Sequence, residues 1–134
     1  MNEHVFLDSC VLIGYLSPTS VWHKRSVKFI KDHIGAIISP YVLNEVHYII
    51  QKYNGAETAN KTIINLLDFQ NIQLLDFEFD RDDLKSIFRI SSKYKLKTFD
   101  SFHAYYCKKA GIKKIVSFDM DFIKVKFLKL VVPD

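Results

Sequence analysis

Five short apolar runs, separated by stretches of helical periodicity, constrain the fold of this chain more than any other feature. They are Val5-Phe6-Leu7, Ala36-Ile37-Ile38, Ile72-Gln73-Leu74-Leu75, Lys114-Ile115-Val116-Ser117 and the segment from Phe127 to Val131. Short runs with little alternation suit strands that are buried on both faces. Between them the apolar spacing changes to three and four, as in Val42, Val46, Ile49 and Ile50 after Pro40. Leu84, Ile87, Phe88 and Ile90 repeat that spacing and are expected to face inward. No pair of runs carries a hairpin signal. Strands that alternate with helices in this way predict a three-layer α/β/α fold, with a central, mostly parallel sheet of about five strands.

Turn residues set the expected helix limits. Cys10 to Leu16 ends at Ser17-Pro18, and a helix capped by Thr19 or Ser20 runs to about His33 before Gly35. Further helices are expected from Pro40 to Asn54-Gly55, Ala56 to Phe69, Asp80 to Lys95, and Thr98 or Phe99 to Ala110. With 134 residues and 49% apolar content, the chain is expected to be one domain over residues 1–134 with a real core. Cys10 and Cys107 are too few for a disulfide framework and read as small core residues. The longest apolar stretch, Ile34 to Leu43, is broken by Gly35, Ser39 and Pro40 and is too short to cross a membrane. A cytoplasmic location is the expectation.

Four acids stand where strand gives way to helix, or just beyond. Asp8 follows the first run, Glu45 lies early in the helix after the second, Asp100 opens the helix before the fourth, and Asp119 follows the fourth. Each has an ordinary structural explanation as a cap, a dipole partner or a turn residue. Their joint occurrence does not. Ligands of open parallel sheets collect outside the carboxyl ends of the strands, so these carboxylates are expected to converge there. At ~4 Å and an effective dielectric of ~20, two unit charges repel by roughly 4 kcal/mol, so such a cluster calls for a cation. Oxygen ligands point to Mg²⁺ or Mn²⁺. Residue pattern alone leaves Asp121 open as an alternative to Asp119.

The net charge is +4, and lysines crowd the last third, from Lys93, Lys95 and Lys97 through Lys108, Lys109, Lys113 and Lys114 to Lys124, Lys126 and Lys129. A basic surface beside an acidic pocket suits a polyanion such as RNA. Lys97 is a candidate phosphate contact, and Trp22, Tyr105 and Tyr106 are candidate partner contacts. His47 and His103 lie near the acids, but Mg²⁺ and Mn²⁺ prefer oxygen, which makes packing or support of the acids the better assignment.

Four segments together resemble the PIN-domain family of small metal-dependent ribonucleases, which includes VapC-type toxins. They are Phe6-Leu7-Asp8-Ser9, Ser39 to Val46, Lys97 to Ala104, and Ser117-Phe118-Asp119-Met120-Asp121-Phe122, in the family's order across nearly the whole chain. The resemblance implies catalytic, metal-holding acids at Asp8, Glu45, Asp100 and Asp119, with Ser117 as a hydrogen-bonding neighbour. It further implies hydrolysis of RNA phosphodiesters by metal-activated water, an RNA substrate, an antitoxin partner and a homodimer. Ser9 stands where many members have Thr or Asn, and Ser101 replaces a common Ala. A non-catalytic RNA- or protein-binding module, or an RNA-processing nuclease without an antitoxin, is the alternative. An aspartyl-phosphate phosphatase fits poorly, because the second acid it needs two residues after Asp8 is Cys10.

Overall fold

The computed structural model describes residues 4–134. Five parallel strands form one sheet: β1 (Val5–Leu7), β2 (Ala36–Ile38), β3 (Ile72–Leu74), β4 (Lys114–Val116) and β5 (Lys129–Val131). Their spatial order is β3-β2-β1-β4-β5. Central β1 pairs with β2 through Phe6 opposite Ile37 and with β4 through Phe6 opposite Ile115. Every residue of β1 and β2 is buried, which requires cover on both faces, whereas β5 at the edge is partly open. The expected three-layer α/β/α architecture is the one observed, with the sheet parallel throughout.

Among the described residues six helices supply the cover: α1 (Ser9–Leu16), α2 (His23–Asp32), α3 (Pro40–Asn54), α4 (Ala56–Leu67), α5 (Arg81–Tyr94) and α6 (Thr98–Ala110). Local chemistry explains most of their limits. The Ser39 hydroxyl accepts from the Val42 amide at 3.1 Å, with Pro40 in the first turn of α3. Asp80 and Asp83 form a reciprocal capping box on α5. Gly111 ends α6 at φ 73°, a left-handed conformation that glycine adopts without the usual steric cost.

Two expectations need correction, and one element was not expected. Neither Thr19 nor Ser20 caps α2, which begins at His23 behind Trp22; the Ser20 hydroxyl instead accepts from the Trp22 amide at 3.1 Å within a preceding turn. Leu84 and Phe88 do not face inward. Ile87 and Ile90 satisfy the buried stripe of α5, and Phe88 is left 54% exposed. Finally, a 3₁₀ turn over Met120–Lys124 follows β4, a short element that produces no helical periodicity. Among the described residues, no helix is long and apolar enough to cross a membrane.

Candidate metal centre

The chain leaves β1 toward β2 on one side, while β4 lies on the other side of β1. That divergence creates a crevice at the carboxyl ends of β1 and β4, where open α/β sheets bind ligands. Asp8 is the first residue beyond β1. Its amide still bonds to the Val116 carbonyl at 3.0 Å, which fixes the backbone in the sheet. One carboxylate oxygen accepts from the Ser9 amide at 2.8 Å and the other from the Ser117 hydroxyl at 2.7 Å. The Ser9 bond caps α1, so Asp8 has both its structural and its site position at once.

Glu45 extends from α3 and lies partly buried beside α6. Its Oε1 is 2.9 Å from Nε2 of His103, a fully buried residue whose Nε2 is also 3.7 Å from Asp8 Oδ1. Asp8, Glu45 and His103 each offer a ligand atom within 4.8 Å of the others. Asp100 lies buried in the first turn of α6, one turn before His103. Asp119 follows β4, takes a hydrogen bond from the Asp121 amide at 2.9 Å, and gives its own amide to the Ser117 hydroxyl at 2.9 Å. Asp121 is exposed and sits 3.8 Å from Lys124. The structure brings Asp8 and Glu45 together at His103, links Asp119 to Asp8 through Ser117, and leaves Asp121 exposed beside Lys124.

The four acids also bear on one another electrostatically. Burial, followed by the charges of Asp8, Asp119 and Glu45, pushes the Asp100 carboxyl up to about 7, against partial relief from His103. Burial also acts against ionised Glu45, but the hydrogen bonds from His103 and Ser9, with the Lys97 charge, hold it below the usual range. His103 is raised despite its burial, because it faces Glu45, Asp8 and Asp100. An oxygen-rich donor set that cannot comfortably carry its full negative charge fits a divalent cation.

Several assignments change at this site. Cys10 is not a plain core residue: its Sγ lies 3.3 Å from Ser117 Oγ and accepts from the Phe118 amide at 3.4 Å. Burial and then the Asp8 charge push its thiol up to about 12, the direction that favours the protonated form. His47 points away, toward Asn60 Oδ1 at 2.7 Å. Tyr106 is buried and donates to the Leu75 carbonyl, and Tyr105 donates to Asp83. Trp22 stacks on Phe118 at 4.2 Å beneath Arg25, so it braces the β4 exit. Sequence reasoning missed the contacts of Ser9 and Cys10. For His103 the signal was present, since a residue three after Asp100 shares its helix face.

A parallel α/β sheet with clustered carboxylates at its switch point is the arrangement of α/β proteins whose ligand site lies at the carboxyl edge of the sheet. The PIN domain model matches residues 5–128, and the chain belongs to the PIN-domain family. It is 31% identical over 144 residues to Ribonuclease VapC2 of Methanocaldococcus jannaschii, covering 98% of this chain and 95% of that protein. Ribonuclease VapC6 of the same organism is 26% identical over 150 residues, covering 96% and 97%. VapC20 of Mycobacterium tuberculosis, a sarcin-ricin loop cleaving toxin, superposes with a TM-score of 0.77 at 14% identity, over 92% of this chain and 96% of that one. VapBC2 of Rickettsia felis, bound to a promoter DNA fragment, gives 0.71 at 13% identity, over 98% and 99%. At these identities the solved structures show the shared fold.

Proposed function

We propose that this chain is a metal-dependent endoribonuclease that acts as a single domain on RNA. The observation that carries the proposal is the cluster of Asp8 and Glu45 with His103, whose ligand atoms lie within 4.8 Å of one another, and the charges of Asp8, Asp119 and Glu45 acting on buried Asp100 support it. The proposed ligands are Asp8, Glu45, Asp100 and Asp119, and the proposed ion is Mg²⁺ or Mn²⁺. When bound, such an ion lowers the pKa of water and offsets charge that develops on a phosphate. The protein's own part is positional. Ser9 and Ser117 orient Asp8, His103 orients Glu45, and the end of β4 orients Asp119 through Ser117. Lys97, exposed at the crevice mouth and close enough to lower Glu45, meets an approaching phosphate.

The relatives named as ribonucleases support an RNA substrate, and the fold shared with the toxin VapC20 and with a toxin-antitoxin complex from Klebsiella pneumoniae suits a toxin role with an antitoxin protein as partner. A homodimer and a cytoplasmic location belong to the same proposal. The test is cleavage of a structured RNA by purified protein in Mg²⁺ or Mn²⁺. Wild type is expected to cut internally and to stop on chelation, and Asp8→Asn to be inactive while still folded. Equal cleavage by Asp8→Asn and wild type would refute the site. The toxin role predicts growth arrest on expression of wild type but not of Asp8→Asn.

A further inference from the structure

The outward face of α5 has a feature the crevice does not use. Lys85, Arg89 and Lys93 recur every fourth residue, so three like charges line up along one helix face. Such a row destabilises an isolated helix, and no acid follows Asp83 along α5 to relieve it. Among the described residues, none of the three has a carboxylate partner. Phe88 lies within this row, 54% exposed, in a shallow depression of about 670 Å³ that it lines with Lys85, Arg89, Ser92 and Lys93. A large apolar ring at the centre of an all-positive surface is a poor solvent face.

The row continues onto α6, the helix that carries Asp100. Phe88 meets Phe102 of α6 edge-on at 6.2 Å between ring centres. One turn earlier on α6 is Phe99, 44% exposed and adjacent to Asp100. We propose that Phe99, Phe102 and Phe88, flanked by Lys85, Arg89 and Lys93, form a track for an unpaired RNA strand running out of the crevice. This rests on the ribonuclease proposal and adds where the substrate lies and that it is single-stranded there. Exposed aromatic faces stack on unpaired bases, which a duplex keeps stacked internally, and the cations follow the phosphates. A second copy of this chain is the less suitable occupant, because a twofold contact would set the positive row against itself.

The test is fluorescence anisotropy in chelator, with a labelled unpaired oligoribonucleotide of roughly 12 nucleotides and a duplex of the same sequence. Phe88→Ala is expected to weaken the unpaired strand roughly five- to a hundredfold, while Phe88→Tyr stays near wild type and the duplex changes little. Lys85→Ala with Arg89→Ala is expected to flatten the salt dependence of log K by about 1.4. Because Phe88 is exposed, loss of folding is not expected, and the melting temperature checks this. Unchanged affinity in Phe88→Ala would overturn the track. A fall in molecular mass by sedimentation, with RNA affinity intact, would overturn it in favour of a contact between copies. The underlying activity fails differently: wild type that binds through Phe88 but never cleaves in metal refutes the nuclease and leaves the track standing.

Discussion

Replacing Asp100 with Asn tests the central claim, because the structure gives opposite signs with and without metal. In the folded protein the Asp100 carboxyl rises from its ordinary 3.8 to about 7, through burial first and then the charges of Asp8, Asp119 and Glu45. A rise of about three units corresponds to ~4 kcal/mol, and water at the open crevice reduces this to roughly 1–2 kcal/mol. The sign follows from linkage. Protonated Asp100 favours the fold, so this part of the stability is complete below the unfolded value. It is lost as pH rises toward about 7, and the loss is then constant. Asn carries no charge at any pH. In chelator near pH 8, Asp100→Asn is therefore expected to melt about 3–8 °C above wild type, and near pH 4 the two should coincide.

Metal reverses the order. A cation that binds only the native state at ~100 Kd adds about 2.7 kcal/mol to wild type, and Asp100→Asn is expected to lose most of that gain. Thermal melts of both proteins, in chelator and in Mn²⁺, across this pH range give the full comparison. If the variant melts lower in chelator at high pH and gains as much from Mn²⁺ as wild type, the claim of a charge-strained metal site is refuted.

Other outcomes follow from individual contacts. Gly14→Ala should destabilise by about 1–3 kcal/mol in urea titration, because the added Cβ would lie 2.6 Å from the buried Ser26 Oγ where α1 meets α2; no change would show that Ser26 can yield. Lys109 at 2.6 Å, with Tyr105 and the Asp80 amide, holds the Asp83 carboxyl well below its usual range. Its contribution is present above the unfolded value of about 3.8 and lost as pH falls below it. Asp83→Asn should therefore melt below wild type near neutral pH, and the gap should close in acid. His103→Leu frees the Glu45 carboxylate and should weaken Mn²⁺ binding by calorimetry about 10- to 100-fold, whereas His103→Gln, which keeps a donor, should retain most of it. Equal losses in the two variants would mean that packing, not the hydrogen bond, matters at His103.

What the sequence revealed and what it hid follow from the range of each interaction. Strand positions were legible because burial on two faces leaves uninterrupted apolar runs such as Val5-Phe6-Leu7. Pro40, Asn54-Gly55 and Gly111 marked helix limits because their backbone preferences are local. The start of α2 was not legible, because Trp22 ends the turn by packing on Phe118, nearly a hundred residues away in the chain. Leu84 and Phe88 fit a helical stripe, yet only two of its four apolar positions face the core, and periodicity cannot say how wide a face the core accepts. Asp119 and Asp121 were indistinguishable in the pattern. The 3₁₀ turn separates them, capping on Asp119 and sending Asp121 to solvent beside Lys124. Cys10 looked like a core residue because the approach of Ser117 from β4 depends on pairing between distant strands.

The load of negative charge falls unevenly on the four acids, and the fold explains how. Asp8 begins a helix beside a sheet strand, so the Ser9 amide and the Ser117 hydroxyl reach it as a consequence of building α1 and β4. Glu45 faces the inner side of α6 and meets His103. Asp119 starts the 3₁₀ turn and takes the Asp121 amide. Asp100 has no such partner among the described residues: Lys97 precedes α6 without a side-chain cap, and Asp100 is raised by burial and by neighbouring charge. Three acids are thus held by donors the architecture supplies anyway, and the conflict is concentrated on the fourth. Asp8 separates stability from chemistry less cleanly, because it serves α1 as well as the crevice. Asp100 does so better, since it caps no helix among the described residues, and a bound cation would make favourable the ionised form that His103 relieves only in part.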